Sequence, residues 1–271
     1  MIGSAVLVQA AENAPDLKRK INIAGKQRML SQRMAQAACF QAVGVKRKKQ
    51  AAIMAQAQDA FANGLKALRY GSVELRINAI RDLDALAELD VVDGLWPAYF
   101  AALADGADDV AGLDEVSAQS GPILTAANAV VVALEATNTD ASVGAELVRL
   151  VNVAGRQRML TQRAAKEFCL IAAGVNVDDN RKALSDTLAL FERSLNGLMY
   201  GDADMGLVEA PTDDILMQLA FTADLWNTVR APFQKAVDIG RAGSIERLTV
   251  VVNIDAVLKA ADEAVWMYEN I

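Results

Sequence analysis

Histidine is absent from the 271-residue chain, which holds two cysteines and five prolines. These scarcities exclude whole classes of chemistry. Without an imidazole there is no Ser-His-Asp triad, no His-x-x-x-His zinc site and no histidine proton shuttle. Two cysteines are too few for a disulfide-built scaffold, and no Cys and Met cluster has metal-ligand spacing. Asp and Glu remain for acid-base work, but no pair of them stands out from surface charge. The expectation is a non-enzymatic protein without cofactor or metal.

Positive charge is scarce as well. With 27 Lys and Arg against 34 Asp and Glu, the net charge is -7. The one basic run, Lys46-Arg47-Lys48-Lys49, is short and reads as a solvated helix end, so no nucleic-acid partner is expected. No uninterrupted apolar run reaches the roughly 18 residues needed to cross a bilayer; Ile123 to Leu134 is broken by Thr125 and Asn128, so no membrane span is expected. The small apolar residues Met1 to Ala11 look like the tail of a secretory signal without its basic start, which points to export, with a disordered N-terminus as the alternative.

What the chain does hold is an internal duplication. Asn22 to Arg33 (NIAGKQRMLSQR) and Asn152 to Arg163 (NVAGRQRMLTQR) share nine of twelve residues, and the differences are Ile/Val, Lys/Arg and Ser/Thr. The same offset of 130 pairs Cys39 with Cys169, Gly44-Val45 with Gly174-Val175, Phe61 with Phe191, Tyr70-Gly71 with Tyr200-Gly201 and Leu95-Trp96 with Leu225-Trp226. Residues 1–11 form a signal-like remnant, 12–139 the first copy and 140–271 the second.

Apolar residues recur at helical spacing in both copies, and hydrophobic residues make up 53% of the chain, ample for packed cores. Four helices per copy are predicted: about Asp16 to Val43, Lys48 to Tyr70, Val73 to Leu103 with a break near Gly94 or Pro97, and Asp114 to Thr137. The second copy gives about Ala141 to Ala173, Asn180 to Tyr200, Thr212 to Ile239 and Ser244 to Asn270. The fold class is all-α: two tandem four-helix bundles, each up-down-up-down, so that its ends lie together. Thr137 to Asp140 then suffices as a linker, and the bundles stand side by side as a pseudo-dimer.

At about 100° per residue, Ile21, Gly25, Arg28, Gln32 and Cys39 share an arc of roughly 60° on the first helix, with Asn22 flanking it. Arg33 lies about 140° from Arg28 and serves a different purpose. A mid-helix glycine costs about 1 kcal/mol against alanine, so Gly25 and Gly155 imply close approach of a ligand or a second helix. If the bundles pair through their first helices, Arg28 and Arg158 meet across a pseudo-two-fold axis, and their planar forks suit a small planar oxyanion. Tight helix packing and ion pairs with a neighbouring helix account for the same residues. A parallel pairing also brings Cys39 and Cys169 together, either as a disulfide or as two small buried thiols.

Ile21 to Arg33 and Val151 to Arg163 resemble the opening helix of the PilJ-type sensor domain of type IV pilus methyl-accepting chemotaxis transducers. They are also similar to the P-box helix of nitrate/nitrite sensor kinases. The resemblance implies an extracytoplasmic, periplasmic sensor that holds nitrate or nitrite between two motif helices. It places the ligand contacts at Arg28, Arg158, Gly25, Gly155, Asn22, Asn152, Gln32 and Gln162. Such relatives carry transmembrane helices and signalling regions, so a membrane receptor or signalling partner is implied. The alternative is an interaction module for a chemosensory or pilus partner with no small ligand.

Overall fold

The computed structural model describes residues 14–137 and 145–271; the signal-like segment 1–11 and most of the linker lie outside them. The first bundle comprises α1 (Ala14–Ala42), α2 (Arg47–Tyr70), α3 (Leu83–Asp108) and α4 (Leu113–Ala136), with a short 3-10 turn at Val110–Gly112 before α4. The second comprises α5 (Ala145–Ala173), α6 (Val177–Tyr200), α7 (Asp213–Ile239) and α8 (Ser244–Glu269), with a small hairpin of β1 (Gly201–Asp202) and β2 (Leu207–Glu209) between α6 and α7. The architecture is all-α.

Local chemistry sets the helix ends. Gly44 and Gly174 both take φ 79°, the left-handed backbone that closes α1 and α5 and that a side chain would strain. Asp82 and Thr212 cap α3 and α7 by accepting from the amides of Ala85 and Ile215. The first cap corrects an expectation. The third helix does not begin near Val73, because Ser72 and Ile77 form a backbone bridge and Asn78 N donates to Asp16 on α1, leaving Asp82 to start the helix. Nor does α3 break at Gly94 or Pro97.

Helix α4 requires a second correction. Val110–Ala136 contains an 18-residue stretch of mean hydropathy 1.3 and is long and apolar enough to cross a membrane, because single Thr and Asn residues lower such an average only slightly. In this fold its apolar stripe of Val116, Ile123, Val130, Val131 and Leu134 packs into the first bundle.

The two motif helices are buried on nearly every side. Helix α1 packs on α2, α3 and α4 and also along α5; α5 packs likewise on α6, α7 and α8. Small residues allow this: Ala24, Ala35, Ala37, Ala38, Ala164 and Ala165 are all at most 0–1% exposed. Across the interface Phe40 and Phe168 meet with ring centroids 6.4 Å apart, each fully buried and contributing about 2–3 kcal/mol of apolar burial. Equivalent stacks, Phe61 on Trp96 and Phe191 on Trp226, fill each bundle.

Candidate functional site

Helices α1 and α5 run parallel and in register, since residues 130 apart meet at two levels. At one level Cys39 and Cys169 are joined as a disulfide with Cα atoms 6.1 Å apart. At the other, about three turns away, Gly25 faces Gly155 and the arginines meet. A Cβ added to Gly25 would stand 3.1 Å from Arg28 Nη2 and 3.7 Å from Arg158 Nη2; one added to Gly155 would stand 3.3 Å from Arg158 Nη2 and 3.7 Å from Arg28 Nη2. The two guanidinium tips therefore share one small space at the axis, and glycine on both helices leaves room for them there. Arg28 and Arg158 are each 1% exposed.

Each arginine bonds within its own copy through Nη1 and across the interface through Nη2. Arg28 Nη1 donates to Asn128 Oδ1 at 2.9 Å and Nη2 to the Asn152 carbonyl at 3.4 Å. Arg158 Nη1 donates to Asp262 Oδ1 at 2.6 Å, and Nη2 donates to Asn22 Oδ1 at 2.8 Å and to its carbonyl at 3.4 Å. Both Nε atoms are buried without an acceptor among the described residues. The asparagines are themselves held: Asn22 Nδ2 donates to Glu269, and Asn152 hydrogen-bonds Glu135.

The electrostatics differ between the two arginines. Burial, then repulsion from Arg156 and Arg158, pushes Arg28 down to about 9, against attraction from Glu135; it is still a cation at neutral pH. Burial also lowers Arg158, but there Asp262 and Glu269 oppose it. Burial by itself would raise Asp262, yet Arg158 and Lys26 hold its carboxyl below the usual range. Glu135 goes the other way, raised by burial despite Asn152, Arg28 and Arg156. Two clefts flank the pair. One of about 440 Å³ is lined by Glu135, Arg149, Asn152 and Arg156, and one of about 420 Å³ by Lys26, Arg33, Lys259 and Asp262.

Of the residues singled out from the sequence, Arg28, Arg158, Gly25, Gly155, Asn22 and Asn152 converge at this point. Gln32 and Gln162 do not. Gln32 Nε2 donates to the Ser120 carbonyl, and Gln162 Oε1 accepts from Arg33, which also pairs with Asp255. One turn beyond the arginines, both glutamines tie helices together instead of facing the shared space. Sequence reasoning missed Asn128, Asp262, Glu135 and Glu269, all on the fourth helices. They are equivalent in pairs only when the fourth helix is shifted one turn beyond the 130-residue offset. That register would have been visible in Leu124 with Leu258, Ala126-Ala127 with Ala260-Ala261, Val131 with Val265 and Glu135 with Glu269.

Over 81 residues the chain is 36% identical to methyl-accepting chemotaxis protein McpN of Pseudomonas aeruginosa, a match covering 30% of this chain and 15% of that protein. Residues 14–128 and 147–248 match the PilJ family, described as the N-terminal region of type IV pili methyl-accepting chemotaxis transducers. Those two segments take in most of both bundles, so this chain belongs to the PilJ family, with its sensory domain present twice in tandem.

Proposed function

We propose that the chain is an extracytoplasmic, non-catalytic sensor unit and that its ligand is a small planar oxyanion, nitrate or nitrite, held between Arg28 and Arg158. The observation that carries this reading is the meeting of two wholly buried guanidiniums beside Gly25 and Gly155, with a single carboxylate among the described residues, Asp262, hydrogen-bonded to the pair. Two buried cations with one direct counter-charge repel each other and retain unused donors, the two Nε–H groups. A planar anion would accept from both forks, with each charge-assisted hydrogen bond contributing on the order of 1.5–3 kcal/mol.

Occupancy would have a mechanical consequence. The disulfide holds α1 and α5 together about 16 Å along the helix from the arginines. On the arginines' other side α1 is tied to α8 and the residues just after it: Lys18 Nζ donates to the Ile271 carbonyl at 3.0 Å, and Asn22 donates to Glu269. Relieving the repulsion between Arg28 and Arg158 would draw the helices together at that end, favouring one spacing of α1, α5 and α8 over another. Membership in a chemotaxis-transducer family supports a signalling partner as the recipient.

Thermal unfolding and titration calorimetry with nitrate, nitrite, chloride and sulfate test the reading on wild type, Arg28→Ala and Arg158→Ala. An anion at 100 times its dissociation constant stabilises the fold by about 2.7 kcal/mol, a rise of about 5 °C for a chain of this size. Nitrate or nitrite is expected to produce that rise in wild type and in neither variant. No rise with any anion, or an equal rise in the variants, refutes the site.

A further inference from the structure

We propose that Asp262 is a built-in competitor for the anion seat, so that its carboxylate, and not the arginine pair alone, sets how much oxyanion the chain needs. The inference rests on the reading of Arg28 and Arg158 as an oxyanion seat and concerns how that seat is tuned.

The argument starts from the two equivalent fourth-helix positions. Asn128 on α4 and Asp262 on α8 each present Oδ1 to Nη1 of the arginine in their own copy. The side chains have nearly the same shape and differ in charge. On Arg28 the acceptor is a neutral amide, and among the described residues no carboxylate forms an ion pair with that arginine. On Arg158 the acceptor is a carboxylate, itself a planar oxyanion that uses the fork as nitrite or nitrate would. One arginine has its anion supplied by the chain, and the other does not.

Asp262 is also placed to yield. Its side chain is 49% exposed while that of Arg158 is 1% exposed. It stands at the edge of the cleft lined by Lys26, Arg33 and Lys259, and its Oδ1 lies 4.0 Å from Lys26 Nζ. A rotation of Asp262 toward Lys26 would exchange one cation for another and leave Nη1 of Arg158 to an incoming anion. Lys26 and Lys259 would raise the local concentration of small anions at the same cleft, where Arg33 is already paired with Asp255. Two consequences follow: one oxyanion binds per chain, between Arg28 and the Nη1 that Asp262 vacates on Arg158, and its affinity is held down by the need to displace that carboxylate.

Calorimetric titration of sodium nitrate into wild type, Asp262→Asn and Asn128→Asp tests this, with sodium chloride as the control. Asp262→Asn removes the competing charge without changing shape and is expected to bind nitrate on the order of tenfold more tightly. Asn128→Asp gives Arg28 its own carboxylate and is expected to weaken nitrate binding by a similar factor or abolish it. If wild type binds nitrate and Asp262→Asn binds no more tightly, or Asn128→Asp binds as wild type does, the competitor role is overturned while the seat survives. If Asp262→Asn alone binds, wild type takes up no anion, and the proposed function and the tuning role of Asp262 are both overturned. If neither wild type nor Asp262→Asn binds, the seat itself is refuted and the competitor with it. Asn128→Asp keeps the test independent of how well Asp262→Asn folds.

Discussion

Arg28 meets an amide oxygen from its own copy and a carbonyl from the other, whereas Arg158 meets a carboxylate from its own copy and an asparagine side chain from the other. The contrast continues further along the motif helices. Gln36 and Ala37 of α1 correspond to Lys166 and Glu167 of α5. Lys166 is buried and donates to Ser120 Oγ of the first bundle, while Glu167 accepts from Arg163 and Thr187 within the second. In a symmetric dimer every such residue would appear twice, so a second Asp262 would neutralise both arginines, and a second Lys166 would bury another cation. Joining the two bundles in one chain removes that constraint. One half can then carry the fixed charges while the other stays open.

The largest effect is expected from uncoupling the halves. Replacing Cys39 and Cys169 by serine releases a loop of 130 residues, for which chain entropy gives a loss of about 5 kcal/mol. Urea unfolding would show a lower midpoint, matched by wild type under reductant; an unchanged midpoint would mean that packing of α1 on α5 alone holds the bundles.

The arginines themselves come next. Arg158→Met leaves Asp262 and Asn22 Oδ1 without their donor and is expected to cost about 2 kcal/mol. Arg28→Met removes a buried cation whose direct acceptors are neutral, so its cost is expected to be smaller, with a gain allowed by the desolvation relieved. Equal losses in anion-free buffer would contradict the asymmetry.

The smallest effect concerns Lys166, whose ammonium is pushed below the usual 10.5 by burial, against attraction from Glu167. Between its lowered folded value and 10.5 the unfolded chain binds a proton that the folded chain has released, so stability rises with pH across that window. Lys166→Gln, which restores the residue type of Gln36, is expected to flatten this rise and to change stability by less than about 1 kcal/mol. A rise that persists in the variant would assign it to another group.

Much of the site was legible before the fold. The Gly-x-x-Arg stripe, its duplication and the placing of Arg28 apart from Arg33 follow from helical periodicity, and Arg33 indeed pairs with Gln162 and Asp255 instead of the shared space. Gln32 and Gln162 lie close to the same stripe, but a stripe says only which face a residue occupies. Their level along the axis puts them beside Ser120 and Arg33, one turn from the arginine tips. Asp262 was hidden by register. At the constant offset it aligns with Val132, and only the longer route into α8 brings it level with Asn128.

The amino-acid sequence by itself determined that this chain is a duplicated all-helical protein whose motif helix carries an arginine beside a glycine, because helical period and repeat identity are local properties. The tertiary structure decided which atoms meet those arginines. Ion pairing and desolvation depend on distances of a few ångströms between helices far apart in the chain. For that reason the unequal sharing of charge between Arg28 and Arg158 emerges only once α4 and α8 are packed against the motif helices.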